Sequence, residues 1–340
     1  MLRVGIAGIG WVAEEHINAY RNNPHMQVAA MCGTNMPRLQ ARAKNLRLDD
    51  ASLYDDFYKM VENPDIDIIS ICTPHHLHEE QAIAAAKAGK HILLEKPIAL
   101  SEQGLFKVKE AVLASGVKSV TGFVLRWNPY VQMVERLMNN DLIGRPFLAE
   151  VTYYQGLGDW YRGFDWIRRK EFGGSVLLAA GCHAVDVLLL AVGALPTEVS
   201  AYAVKTDCGL EYPSTVAAIV KFDNGAIGRV TCSLDSKIPY AFHLHMLGTK
   251  GALRDNRLYA DLFQGQTDEI VIPTLLPGSA DVHHFPFQGE IDHLVDCILH
   301  DKESFVSIPK ACTSHMICLA ADRSVESGRP VGIGLDGLQQ

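Results

Sequence analysis

Short apolar blocks recur along the first third of the chain, at Leu2–Ala7, residues 28–32, 66–71, His91–Leu94 and 117–121. Blocks of this length, rich in Val and Ile, read as buried strands. Between them lie amphipathic or alanine-rich stretches, such as residues 79–88, which Gly89 closes as a helix C-terminal stop. Strands alternating with helices at this spacing predict βαβ units and a parallel sheet. Around Gly122 the rhythm changes. Pro129–Asn139 reads as a helix, and the Asp141 to Pro146 stretch breaks the chain. Beyond it, a period of two dominates: Phe242, Leu244 and Met246 alternate with His243, His245 and Leu247. Residues 216–222 and 226–232 flank Asp223-Asn224-Gly225, and Asn-Gly between apolar runs is a strong hairpin signal. Residues 290–299 and 311–327 read as late helices, the second ended by Gly328 and Pro330. The pattern predicts a parallel α/β domain over residues 1–121, followed by an α+β domain with mostly antiparallel strands over 122–340.

The composition narrows the class. With 340 residues, 48% hydrophobic and 21% charged, the chain has material for two cores. A net charge of −8 argues against a general nucleic-acid binder and against adhesion to anionic lipid. No uninterrupted apolar run reaches the roughly 18 residues a membrane span needs. The N-terminus enters a strand directly, and the eight cysteines form no C-x-x-C pair, so reduced thiols and a cytoplasmic location are expected.

Candidate chemistry begins at Gly8-Ile9-Gly10-Trp11-Val12-Ala13, a G-x-G-x-x-A turn between the first strand and first helix. Gly8 permits the tight turn, Gly10 lets backbone approach a pyrophosphate, and Trp11 and Val12 open a helix whose amino end favours the anion. The second strand ends Met31-Cys32-Gly33-Thr34-Asn35, with no carboxylate for an adenosine ribose. Gly33, Thr34 and the nearby Arg38 suit a 2′-phosphate, so NADP is favoured over NAD. Lys96, in Glu95-Lys96-Pro97, lies at the carboxyl end of a buried strand, where open α/β sheets bind ligands. Histidines at 75, 76, 78, 243 and 245 are not accompanied by a recognisable ligand set, so no metal is expected.

Several ordered motifs together resemble the glucose–fructose oxidoreductase, inositol dehydrogenase and MocA (Gfo/Idh/MocA) family. They are Gly8-Ile9-Gly10, Thr73-Pro74-His75-His76-Leu77-His78, Glu95-Lys96-Pro97, Gly173-Gly174-Ser175, Gly181-Cys182-His183-Ala184-Val185-Asp186 and Ser327-Gly328-Arg329-Pro330. The resemblance implies an N-terminal Rossmann domain and a C-terminal domain built on a large open antiparallel sheet. It also implies homodimers or homotetramers formed through that sheet, and a sugar, sugar derivative or cyclitol as substrate. It places Thr73, Pro74 and His78 along the cofactor, Glu95 and Lys96 at the nicotinamide ribose, and Lys96 at the reacting oxygen; His75 stands where the family often has Asn, a departure that alters the cofactor contacts expected near the nicotinamide. His183 matches the family's catalytic histidine, while Ala179 stands where many members carry an aspartate.

From these residues the expected reaction is hydride transfer between a nicotinamide and a secondary alcohol or ketone. His183 is the expected general acid/base and Lys96 its electrostatic partner. Asp186 is placed either to orient His183 or to pack the helix. Arg126, Trp166 and Arg168 are candidates for substrate contact, since aromatics and arginines can stack on and bond to a sugar ring. Two alternatives are an NAD-dependent glycosidase acting through transient oxidation and a non-catalytic nicotinamide-binding sensor.

Overall fold

The computed structural model describes residues 1–277 and 285–334. It divides into two compact units: Met1–Phe123 with Pro286–Cys312, and Val124–Phe285 with Thr313–Gln340.

The first unit runs β1 (Leu2–Ala7), α1 (Trp11–Asn22), β2 (Met26–Cys32), α2 (Met36–Asn45), β3 (Ser52–Tyr54), α3 (Phe57–Val61), β4 (Ile68–Ile71), α4 (His78–Lys87), β5 (His91–Leu94), α5 (Glu102–Ser115) and β6 (Ser119–Thr121). The strands form one parallel sheet in the order β3-β2-β1-β4-β5-β6. Val4, Ile6, Ile69, Ile71, Leu93 and Leu94 are buried, which explains the unbroken apolar blocks: helices cover both faces of such a sheet. The strand order reverses between β1 and β4, and ligands of doubly wound sheets bind outside the carboxyl ends at that switch point.

The second unit opens with α6 (Pro129–Asn139) and β7 (Pro146–Tyr154), followed by the short helices α7 (Phe164–Ile167) and α8 (Lys170–Gly173) and the core helix α9 (Cys182–Val192). Then come β8 (Pro196–Val204), β9 (Thr215–Phe222), β10 (Ile227–Ser233), β11 (Ala241–Gly248), β12 (Gly251–Arg254), β13 (Arg257–Ala260) and β14 (Ile270–Val271). Two helices follow, α10 (Phe287–Leu299) in the first unit and α11 (Ile308–Ser327), whose residues from Thr313 onward belong to the second; β15 (Val331–Gly332) ends the order. The sheet order is β14-β13-β12-β11-β7-β10-β9-β8-β15, with β7 and β10 parallel and the other neighbours antiparallel. The predicted Asn-Gly hairpin joins β9 to β10, with Gly225 at φ +82°.

One expectation needs correction. A continuous second domain over 122–340 does not describe the packing, because α10 docks on α1. Gln288 Nε2 donates to the Ala19 carbonyl at 3.2 Å, and Asn23 Nδ2 donates to Asp292 Oδ1 at 2.7 Å. The chain beyond α10 then satisfies the edge strand β6: Thr121 N donates to the Val306 carbonyl at 2.9 Å, and Ile308 N to Ser119 Oγ at 3.1 Å. No periodicity in the first third announces that its core is completed from so far along the chain. The apolar reading agrees with the structure, and one stretch shows why. The helical stretch Lys170–Val192 is long and apolar enough to cross a membrane by composition, and 83% of its apolar window is buried in the protein. It is the core helix of the second unit, and its hydrophobicity answers to that burial.

Candidate active site

In the first unit the β1–α1 turn is shaped by Gly8, which has φ +109°. A Cβ there would stand 2.4 Å from the Cys72 carbonyl oxygen, so only glycine lets β1 and β4 close at this point. Gly10 caps α1 without a side-chain hydrogen bond, and nothing lies within 4 Å of where its Cβ would be. Trp11 and Val12 follow, both partly exposed. Backbone open to approach at the amino end of a twelve-residue helix fits the pyrophosphate of a dinucleotide.

At the end of β2, Gly33 N donates to the Tyr54 carbonyl at 3.0 Å, and Asn35 caps α2 by accepting from Arg38 N at 2.9 Å. Thr34 and the Arg38 side chain are exposed, whereas Arg42 is drawn to Glu14 at 2.5 Å. No acid stands at the end of this strand.

At the end of β4, Thr73 Oγ1 donates to Gln81 Oε1 at 2.6 Å, and Pro74 is partly exposed. His78 is wholly buried, with Nε2 2.8 Å from the Thr73 carbonyl oxygen and Nδ1 2.6 Å from that of Pro97. Burial lowers its pKa, against the pull of the two carbonyls. Its side chain is therefore a strut between the loops after β4 and β5. His75 is also buried, its ring tilted against His78 at 5.7 Å, while His76 is exposed.

Beyond β5, Glu95 N donates to the Ile71 carbonyl at 3.0 Å, and Glu95 Oε1 lies 3.2 Å from His16 Nε2. His16 Nδ1 is 2.8 Å from Ser70 Oγ and 3.4 Å from Cys72 Sγ. Burial would lower the His16 pKa, but Cys72 and Glu95 outweigh it and hold the pKa well above the ordinary value. Burial likewise opposes the charge of Glu95, yet His16, Lys96 and His78 keep its carboxyl below the usual range. Lys96 follows directly and is partly exposed; its peptide bond to Pro97 is cis.

In the second unit His183 lies in the first turn of α9, just after a wide π turn over Leu177–Gly181 that contains the buried Ala179. His183 is 7% exposed, and the Tyr153 ring stacks on its imidazole at 6.2 Å and 13°. Tyr240 meets Tyr153 edge-on at 5.2 Å. Arg126 is not presented openly: its Nε and Nη2 donate to the two oxygens of Asp186 at 2.5 and 3.0 Å. Ser314 Oγ adds a third contact to Asp186 at 3.3 Å. The carboxylate proposed to orient His183 is thus engaged by Arg126 and Ser314. Trp166 is partly exposed and Arg168 exposed, at the end of α7.

Among the residues that escaped the sequence reading are His16, Tyr153 and Glu290, whose carboxyl clusters with His16 and Glu95. Signals existed for two of them. His16 falls on the buried stripe Ala13, Ile17, Tyr20 of α1, and Tyr153 continues the buried phase of Ala149 and Val151 in β7. Glu290 had none, since α10 reaches the first unit only through tertiary packing.

Residues 2–123 match the family described as oxidoreductase family, NAD-binding Rossmann fold, and residues 131–254 match the GFO/IDH/MocA C-terminal domain; the chain belongs to the Gfo/Idh/MocA oxidoreductases. It is 25% identical over 340 residues to a scyllo-inositol 2-dehydrogenase (NAD(+)) of Bacillus subtilis, covering 97% of this chain and 96% of that one. It is 29% identical over 321 residues to a levoglucosan dehydrogenase of Pseudarthrobacter phenanthrenivorans, covering 82% and 81%. The solved structure of a levoglucosan dehydrogenase in complex with NADH and levoglucosan superposes with a TM-score of 0.87 at 21% identity, over 98% of this chain and 99% of that one. At that identity the likeness speaks to fold. The chain is an NAD-binding oxidoreductase whose relatives are sugar and cyclitol dehydrogenases.

Proposed function

We propose that this oxidoreductase transfers a hydride between a nicotinamide cofactor and a secondary alcohol or ketone of a sugar, sugar derivative or cyclitol. The observation that carries the reading is Lys96, two residues past the end of β5, directly after a glutamate whose carboxyl lies 3.2 Å from His16 of α1. The nicotinamide, when bound, supplies or accepts the hydride. Lys96 stabilises the alkoxide that develops at the reacting oxygen, or polarises the carbonyl in the reverse direction. His183 takes or returns the hydroxyl proton, and the stacked Tyr153 fixes the plane of its ring. Gly8, Gly10, Trp11 and Val12 hold the pyrophosphate end, with Thr73, Pro74 and His75 alongside and Glu95 at the nicotinamide ribose. Thr34 and Arg38, exposed with no acid beside them at the end of β2, support acceptance of NADP as well as NAD. Trp166 and Arg168 contact the sugar; Arg126 does so only through the helix it braces via Asp186.

The outward face of the second unit's sheet supports self-association. Ile227 pairs across to Leu148, Leu148 to Leu247, Leu247 to Ala252 and Ala252 to Tyr259, an apolar row running over five strands. Ile227, Leu247 and Tyr259 are 46%, 41% and 42% exposed. A face of this kind suits a second copy of the chain, giving a dimer or tetramer.

The test is a turnover screen of sugars, sugar acids and cyclitols with NAD and NADP. Against the substrate found, Lys96→Ala and His183→Ala should each lower kcat by about 10²–10⁴-fold while the cofactor Kd stays within about threefold. Near-native turnover in both variants would refute the assignment.

A further inference from the structure

The first unit buries a carboxyl that the proposed reaction does not use. Glu290, in the first turn of α10, is 0% exposed, and neither carboxyl oxygen has a hydrogen-bond partner among the described residues. Its carboxyl lies in a cluster with His16 and Glu95, one ligand atom of each within 4.8 Å of the others. The placement is enforced from several sides. Phe287, one turn earlier on the same helix face, meets the His16 ring at 5.4 Å, and the Gln288–Ala19 and Asn23–Asp292 hydrogen bonds fasten α10 to α1. Glu95 is confined opposite: a Cβ on Gly122 would stand 3.1 Å from its Cα, Cδ and Oε2.

Charge balance restricts what these groups hold. His16 lies between Ser70 and Cys72 on one nitrogen and Glu95 on the other, so an unprotonated Nε2 would put a lone pair against a carboxylate oxygen. A charged His16 neutralises a single carboxylate. A second ionised carboxyl in the same dry space would be left uncompensated, which desolvation disfavours. We propose that Glu290 is a positioning residue, the proton-holding member of a buried His16–Glu95–Glu290 cluster that keeps Glu95 ionised and in place and thereby sets the Lys96 turn.

The charged and titratable groups facing the cluster agree with this state. On α1 stand His16 and the buried Tyr20 hydroxyl; after β4 comes Cys72; after β5 come Glu95 and Lys96; from α4 comes His78; and α10 brings Glu290. Burial and the neighbouring Glu95 charge push the Glu290 carboxyl well above the usual carboxylate range, with His16 opposing. One charge pair and one neutral acid result. Two carboxylates and an imidazole could also surround a divalent cation, so the test separates a held proton from a held metal.

The proposal rests on the reading that Glu95 and Lys96 serve the nicotinamide, and the readouts separate the two. Infrared difference spectra of wild type against Glu290→Gln, from pH 6 to 8, should show the carbonyl stretch of a protonated carboxylic acid in the wild type alone. Carboxylate bands in its place, or one equivalent of divalent metal in purified wild-type protein that Glu290→Gln lacks, would overturn the proposal without touching the function. Glu290→Gln, neutral and nearly isosteric, should keep the NADH Kd within about threefold, whereas Glu290→Ala should weaken it about tenfold and shift the pH profile of kcat/KM. Equal impairment of both variants, or none in Glu290→Ala, would overturn the positioning role. If neither variant folds, the wild-type spectrum with ¹³C-labelled glutamate decides. Wild-type protein that fails to bind either cofactor would defeat the functional reading instead.

Discussion

Gly8 shows how much chemistry one residue can fix. Its positive φ and its approach to the Cys72 carbonyl bar any side chain. Gly8→Ala should therefore separate β1 from the loop after β4, lowering stability by about 2 kcal/mol and raising the NADH Kd at least about tenfold. Urea unfolding and fluorescence titration measure both; an alanine variant that binds as tightly as wild type would show the turn is not the cofactor site. The Gly-x-Gly spacing was legible because a turn's backbone demands are local. The packing of His78 was not legible, for the opposite reason. Its motif position is visible in sequence, but its burial between the Thr73 and Pro97 carbonyls depends on where two loops meet. Arg126 likewise looked available, and only the fold supplies Asp186 to occupy it.

At the scale of elements, α11 carries an acid whose energetics are opposite to those of a surface carboxylate. Burial pushes Asp322 up to about 7, against a hydrogen bond from Ser175, with Glu326 adding to the rise and Lys170 opposing it. The native state thus binds a proton between the unfolded carboxyl pKa near 4 and about 7 that the unfolded chain releases, so this group's contribution to stability falls as pH rises through that window. Asp322→Asn removes the dependence. Urea titrations should find the variant more stable than wild type by at least about 1 kcal/mol at pH 8, with the gap largely closed at pH 4. A gap independent of pH would mean that Asp322 is ionised throughout. Element positions were largely readable: β1, β5 and α6 fall where the apolar pattern puts them. The π turn before His183 was not, because its apolar residues satisfy an ordinary helical period equally well.

For the whole molecule, the apolar row on the second unit's sheet implies that association state and surface chemistry are linked. Under the proposed self-association, Ile227→Glu with Leu247→Glu should give a smaller species than wild type in light scattering, with circular dichroism unchanged. An unaltered mass would place the interface elsewhere. Alternating apolar and polar positions already announced these strands, and the Asn224-Gly225 turn announced their hairpin. The sequence by itself carried most of the order of strands and helices, the dinucleotide turn and the place of Lys96 after a buried strand, because propensity, periodicity and turn chemistry act over a few residues; the candidacy of His183 came from the family resemblance. Tertiary structure alone decided that α10 returns to the first unit, that Asp186 pairs with Arg126, and that His16, Glu95 and Glu290 share one buried space. Those outcomes depend on packing and desolvation between segments up to some 270 residues apart, a separation over which no local pattern carries information.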